Sequence, residues 1–425
     1  MSRTIITGSA FGTLLTLLTF VSCRAAEEHN ATAVDASPAS ATESVDPHPS
    51  FLYGRITSDS GDTYEGRLRW GRDQEAFWGD YFNGVKSENP WLAHLSDERR
   101  STARRPFMAR FGDIARISAR GKFAGDVEVT LKSGTVFVLE RSAASDFDDG
   151  VRVWDSRRGV VDLVTWAGGV PPPSHRRIRT IELLHTASQG TAPSRLHGTV
   201  RTGQGHFSGF IQWNRKESVG SDLLNGRAAE GERRLRFDTI RSIERRSRDS
   251  AAVTLVDGGQ MVLSGSSEIG HGSQGIYVDD ERYGRVLISW DAFERVDFSS
   301  GGGGPVYSDF PPGRPLRGSV TTRAGRRLVG RLVYDLDESE TTETLDAPSS
   351  GVDYTIPFSL IASIALGAEH AVLTLRSGEK LQLEHTGDLG AANAGMLIFV
   401  EDGKRPEYVA WGDVERIEFD GPSGS

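Results

Sequence analysis

Only one cysteine, Cys23, occurs in the 425 residues of this chain, so no internal disulfide can brace the fold. A positive surplus is missing as well. The formal net charge is −9, which argues against a nucleic-acid partner, because that affinity rests on neutralising phosphates. Arginines do crowd together at Arg233, Arg234, Arg236, Arg241, Arg245, Arg246 and Arg248, but Glu232, Asp238, Glu244 and Asp249 interleave with them. That pattern reads as a solvated strand face. The ten histidines are scattered, with no His-x-x-x-His spacing, so no helical zinc site is expected. No glycine run follows a strand and opens a helix, as a phosphate cradle requires. Gly270-His271-Gly272-Ser273-Gln274-Gly275 misses a nucleophile elbow, because His271 falls where glycine is needed. Asp146 to Gly150 misses a calcium loop, because Arg157 falls where a bidentate glutamate belongs. Asp335, Asp337, Glu338 and Glu340 form another acidic run, which reads as a solvated hairpin loop. These absences leave no catalytic residue, metal ligand or cofactor to assign, and they predict a protein that is not an enzyme.

What is present begins with a targeting segment. Arg3, an apolar stretch from Ile5 to Val21 and the small-residue exit Ser22-Cys23-Arg24-Ala25-Ala26 predict a signal peptide over residues 1–26. Phe20-Val21-Ser22-Cys23 resembles a bacterial lipobox, with Phe20 where leucine is usual. That resemblance implies that Cys23 is lipidated and becomes the first residue, a lipid anchor and the one membrane contact. Ordinary cleavage after Ala25 or Ala26 would discard it. Residues 27–50 are rich in Ala, Ser, Thr, Asp and Glu and predict a disordered tether. The expected location is the bacterial cell envelope: periplasm or outer membrane if lipidated, otherwise periplasmic or secreted.

The rest of the chain repeats itself, a feature with priority over any local motif. Leu52-Tyr53-Gly54-Arg55-Ile56-Thr57 recurs as Leu196-His197-Gly198-Thr199-Val200-Arg201 and as Leu316-Arg317-Gly318-Ser319-Val320-Thr321. Seven residues after the glycine of each comes another, Gly61, Gly205 or Gly325, then a third, Gly66, Gly209 or Gly330, and then an aromatic, Trp70, Trp213 or Tyr334. Tyr64, Gly66, Leu68 and Trp70 alternate with period two, as do their counterparts, which predicts a β-hairpin with one stripe facing a core. Gly61, Gly205 and Gly325 close the turn. Those inside the strand mark a bulge or the close approach of another backbone.

Downstream, Phe111, Ile114 and Ile117 correspond to Phe237, Ile240 and Ile243 and to Phe358, Ile361 and Ile364. Each copy then reaches a tryptophan: Trp166, Trp290 or Trp411. These tryptophans, with Trp70 and Trp213, belong to the core. Each copy reads as a duplication in turn, because its two halves end alike in strand, short helical turn and strand. That ending resembles small SH3-like and Sm-like barrels and implies a compact barrel or sandwich of short strands, without their RNA binding. The expected fold is therefore all-β, three tandem copies of a small barrel or sandwich. The divisions are 51–187 for the first repeat with an insertion at 71–106, 188–301 for the second and 302–425 for the third. The Gly- and Pro-rich segment from Ser299 to Pro315 reads as a linker, and copies of this length could fold alone.

Function is expected where one copy departs from the other two. Trp213 to Phe237 and Tyr334 to Phe358 each span 24 residues, whereas Trp70 to Phe111 spans 41, which is 17 more. The aromatics of that longer stretch, mixed with acids, suit either a partner surface or a plug over a sheet edge. Glu75, Phe77, Trp78, Tyr81, Phe82 and Trp91 are the partner-binding candidates, and Asn89 and Pro90 suit the start of a short helix. The functional expectation is a non-catalytic scaffold that binds a protein or glycan of the envelope. The alternatives are a hydrolase with an Asp/Glu site assembled between repeats, and a purely structural spacer.

Overall fold

The computed structural model describes residues 48–71, 74–95, 105–120, 126–144, 150–164, 176–186, 194–301, 303–400 and 405–421. The signal segment, Cys23, Trp166 and residues 146–149 lie outside these. The described residues are all-β, arranged in three sheets, and their helical elements are short 3-10 turns.

The first sheet begins with β1 (Tyr53–Ser58), β2 (Thr63–Trp70), β3 (Tyr81–Lys86), β4 (Arg105–Arg110) and β5 (Ile114–Arg120). It continues through β6 (Asp126–Leu131), β7 (Val136–Glu140), β8 (Val151–Asp155), β9 (Gly159–Val164) and β10 (Arg176–Leu183). Its order is β1-β2-β8-β9-β10-β5-β6-β7-β3-β4, and β1 also pairs with β10, so β1, β2, β8, β9 and β10 close a ring.

The next stretch holds β11 (Leu196–Thr202), β12 (Gly205–Gln212), β13 (Leu223–Ala228), β14 (Gly231–Arg236) and β15 (Ile240–Ser247). Then come β16 (Ser250–Leu255), β17 (Gln260–Ser264), β18 (Ile276–Asp280), β19 (Gly284–Ile288) and β20 (Phe293–Ser300). The last stretch has β21 (Arg317–Thr322), β22 (Arg327–Val333), β23 (Thr344–Ser349), β24 (Val352–Pro357) and β25 (Ile361–Leu366). It ends with β26 (Ala371–Leu375), β27 (Lys380–Leu383), β28 (Met396–Val400), β29 (Glu407–Val409) and β30 (Val414–Phe419).

The pairings explain the repeated residues. Gly54 faces Gly66, Gly198 faces Gly209 and Gly318 faces Gly330 across the β1–β2, β11–β12 and β21–β22 ladders. A Cβ on Gly66 would lie 1.9 Å from the Trp154 carbonyl oxygen, and one on Gly209 or Gly330 would meet the Asp279 or Phe399 carbonyl as closely. Glycine is required there because another backbone crosses. Phe111, Phe237 and Phe358 each open a 3-10 turn, and the isoleucine three residues on starts the next strand. All nine residues of that apolar motif are at most 3% exposed. Trp70, Trp213, Trp290 and Trp411 are buried, as their period-two positions predict.

Two findings depart from a string of separate domains. First, β19 pairs with β24, Arg285 opposite Thr355 and Ile288 opposite Val352, so β11–β20 continue into a 12-stranded sheet with β23 and β24. One hydrophobic core runs from Leu196 to Phe419 across both stretches. Second, the segment read as a linker is a strap across the first sheet. Phe310 is 4% exposed and belongs to the first core. Tyr307 donates its hydroxyl to the Ile114 carbonyl at 2.9 Å, and Lys132 donates to the carbonyls of Tyr307 at 2.5 Å and Phe310 at 3.0 Å. Gly112 makes room for the strap, since a Cβ there would fall 2.4 Å from the Phe310 ring. Residues 44–425 accordingly form one compact unit.

The structure also locates the extra length of the first repeat. β13–β14 and β23–β24 are joined by residues 229–230 and 350–351, whereas β3–β4 are joined by residues 87–104. Phe82 is therefore a regular third-strand position matching Leu224 and Leu345, and all three are 0% exposed.

Candidate functional site

The aromatic segment of the first repeat meets the rest of the chain at two seams. At the first, Asp80 folds its own approach loop: its Oδ2 accepts from the backbone N–H of Glu75 and of Ala76, both at 2.8 Å. Asp222 does the same for Ser218 and Val219, and Glu343 for Ser339 and Glu340, so this acid is a structural cap in all three repeats. In the first repeat the loop also reaches the second. Gln212 Nε2 donates to the Gly79 carbonyl at 2.8 Å and to Asp80 Oδ1 at 2.7 Å. Arg285, paired with Asp279 at 3.0 Å, also donates to the Gly79 carbonyl and lies 4.2 Å from the Tyr81 ring centre. Burial pushes the Asp80 carboxyl up against the opposing pull of Arg195 and Arg285.

The second seam joins the long β3–β4 connection to the third repeat. Asn89 Oδ1 caps Trp91 N–H at 2.9 Å, starting a 3-10 helix at Pro90–His94 as expected, and Asn89 Nδ2 donates to the Leu336 carbonyl at 3.1 Å. Leu95 packs with Val333, Leu336, Leu397 and Phe399, flanked by Trp91 and Leu92. Leu336 and its neighbour Asp335 hold φ of 54° and 49°, a turn conformation that costs a branched residue energy and that here delivers Leu336 into this cluster.

Behind the cluster sits an acid-lined cavity of about 120 Å³. Asp335, Asp337 and Glu338 of the acidic run read as a solvated loop line it, and Asp337 and Glu340 are each 5% exposed, because the first repeat covers the turn. Lys86 Nζ lies 2.9 Å from Asp337 and 2.7 Å from Glu343, and Arg105 lies 2.8 Å from Asp337. Burial opposes the charge on Lys86, but Glu343 and Asp337 more than offset it and hold the ammonium on. Glu340 accepts from Ser133 at 3.1 Å and Thr135 at 2.5 Å, both in the first repeat. On the far wall the Asp346 N–H donates to Asp388 at 2.7 Å. The corresponding pair in the second repeat is Asn225, whose N–H and Nδ2 both donate to Glu268 at 2.7 Å. With two carboxyls where the second repeat has amide and carboxylate, burial and then the Asp346 charge push Asp388 up to about 8. Burial lifts Asp335 to about 6.

The opposite kind of surface lies on the outer face of the second repeat. An open groove of about 1080 Å³ is lined by Arg201, Arg245, Arg246, Arg248 and Arg295, with Glu244, Glu294, Asp297, His206, Thr199 and Ser247. The ladders make it: Glu244 faces Arg295 on β20, Arg295 faces Arg201 on β11, and Arg201 faces His206 on β12. Arg295 is engaged by Asp297 at 2.6 Å and Glu244 at 3.0 Å. Arg245 makes no ion pair among the described residues.

The six partner-binding candidates do not form one outward patch. Phe77 and Phe82 are 0% and Tyr81 2% exposed, because they fill the first core and the seam to the second repeat. Glu75 binds Arg67 and, at 2.5 Å, Arg69. Half-buried Trp78 packs on Phe310 with ring centres 6.0 Å apart, and half-buried Trp91 on Phe399 at 6.1 Å. These residues stitch the chain to itself. Arg245, Arg246 and Arg248 were within the stretch read as a solvated face, Arg201 and Arg295 were outside it, and the signal in the sequence was that Arg201 and Arg245 have no arginine at the matching positions of the other repeats. No protein-family model, curated protein or solved structure matches this chain.

Proposed function

We propose that this chain is a non-catalytic, exported cell-envelope protein, built as three tandem small-barrel repeats and acting as a scaffold that binds a protein or glycan partner of the envelope. The signal segment would deliver it, and Cys23 would anchor it through a lipid, with residues 27–50 as tether. The observation that carries the non-catalytic reading is how the buried carboxylates are engaged. Lys86 and Arg105 hold Asp337, Lys86 also holds Glu343, and Asp335, Asp388 and Glu343 accept from backbone N–H groups around a cavity of about 120 Å³, whereas small-molecule sites occupy roughly 300–1,000 Å³. A hydrolase assembled from acids between repeats would need more room. A pure spacer has no use for a groove of about 1080 Å³ lined by five arginines.

The test is retention without turnover. The processed protein, incubated with envelope fractions and a panel of glycans, should retain a component and release no cleaved product. Glycan cleavage that disappears in Asp388→Asn would overturn the reading in favour of the hydrolase. For the anchor, Cys23→Ser should move the protein from the detergent phase to the aqueous phase. An intact mass beginning at Ala26 or Glu27 without lipid would remove that part.

A further inference from the structure

Resting on the scaffold reading, we infer that the arginine-lined groove on β15, β20, β11 and β12 is a binding site for an acidic polysaccharide, one whose sugars carry carboxylates. The fold does not require an arginine at position 245 or 201. Arg245 follows Ile243 by two residues, and the matching positions after Ile117 and Ile364 are Ala119 and Leu366. Arg201 follows Val200, and its counterparts are Thr57 and Thr321. Positions shared by the repeats report what the barrel needs, so residues peculiar to one repeat are free to serve a ligand.

The chemistry of the groove selects the ligand. Five guanidinium groups face three carboxylates there, a local surplus of two positive charges on a chain of net charge −9. Arginine forks match carboxylates in bidentate geometry. Asp297 and Glu244, already bridged by Arg295 at 2.6 and 3.0 Å, and Glu294 offer acceptors suited to sugar hydroxyls. The same three acids would repel a polymer as densely charged as a polyphosphate or nucleic acid. No Phe, Tyr, Trp, Leu, Ile or Val lines the groove, so it lacks both stacking platforms for bases and the apolar anchors on which protein partners depend. A hydroxyl- and carboxylate-rich chain fits what remains. Arg245, Arg246 and Arg248 project from the end of β15 and its turn, placed to meet such a chain along its length.

The experiment uses the full processed chain and three probes at low and physiological salt: polygalacturonate, neutral dextran and poly-L-glutamate. Polygalacturonate should bind, more weakly as salt rises, and dextran should not. The triple variant Arg245→Ser, Arg246→Ser, Arg248→Ser should bind polygalacturonate about tenfold or more weakly, the loss expected for removing charge-assisted contacts. A charge-matched control, Arg233→Ser, Arg234→Ser, Arg236→Ser on β14 outside the groove, should bind as the parent does. Equal loss in both variants, no binding by the parent, or poly-L-glutamate binding as tight as polygalacturonate would each overturn the inference. Retention of a neutral glycan or an envelope protein with both triple variants unaffected would overturn it too while leaving the scaffold reading standing. Retention of no envelope component at all would remove the scaffold reading itself.

Discussion

Lys86 of the first repeat lies 2.7 Å from Glu343 of the third, with both side chains almost wholly buried. The two residues are 257 positions apart in sequence. A charge removed from such a pair leaves its partner desolvated and unpaired, which costs about 3–5 kcal/mol. Lys86→Met should lower stability to chemical denaturation by that order. Glu343→Gln added to it should recover part of the loss, because one orphaned carboxylate is then gone. Additive losses in the double-mutant cycle would mean that the contact carries no coupling.

The Asp346–Asp388 pair gives a pH dependence with a definite sign. Asp388 titrates near 8 in the folded chain, against about 3.9 for an unperturbed aspartate. Between those values the folded chain holds a proton that the unfolded chain has lost, so this pair's contribution makes stability fall as pH rises from about 4 to 8. Asp388→Asn, leaving one amide and one carboxylate as in the second repeat but with their positions exchanged, should flatten that slope by up to about 1.4 kcal/mol per pH unit. It should also make the variant the more stable form at pH 8. Denaturation midpoints measured across the window check it, and an unchanged slope would contradict it.

The strap can be loosened from its far side. Gly112→Ala places a methyl against the Phe310 ring and should free the segment from Gly301 to Pro315 for limited proteolysis while the β11–β30 core stays intact. Phe310→Ala should do the same and cost about 3–5 kcal/mol, the usual loss for a buried phenylalanine. Resistance to nicking equal to the parent's would show that the strap is held elsewhere.

Separated copies should not behave as domains. Expressed alone, residues 194–300 and 314–421 each lose half of a shared core and the β19–β24 ladder, so each should be poorly ordered by near-UV circular dichroism. Residues 194–421 together should be more cooperative than either. Two sharp, independent melting transitions from the separate pieces would refute this.

Trp91→Ala should lower the melting temperature by several degrees, because Trp91 packs on Phe399 and lies 5.3 Å from the Arg331 guanidinium. Trp78→Ala should act likewise through Phe310 and the Arg110 guanidinium 5.1 Å from its ring. Melting curves unchanged in both would restore the segment as a free surface.

The period-two stripes, the turn glycines, the crossing glycines and the Phe-x-x-Ile-x-x-Ile motif were legible because each is a local demand of a strand or a tight approach, written three times. Position 82 was misread because spacing gives the amount of extra chain but not its place. Only the ladders put the surplus at 87–104, after Phe82 rather than around it. The burial of Asp337 and Glu340 was illegible for a related reason. An acidic hairpin looks solvated until a lysine from the first repeat is found across it, and no local pattern marks Lys86 as that lysine. Ser299 to Pro315 has the composition of a linker, yet Tyr307 and Phe310 are its two aromatic residues and are the ones that dock.

The strap sets an order on how the protein can come into being. A chain synthesised from its amino end delivers residues 51–187 first, and domains commonly fold as they emerge. Here the first repeat must wait for Tyr307 and Phe310, which appear only after all of β11–β20 has passed. Until then Gly112 faces an empty slot and Phe77 lacks the ring that lies 4.8 Å from it in the finished protein. The amino-terminal repeat is therefore the earliest made and among the last completed, and a partly synthesised chain would offer its open slot to whatever apolar segment arrives first.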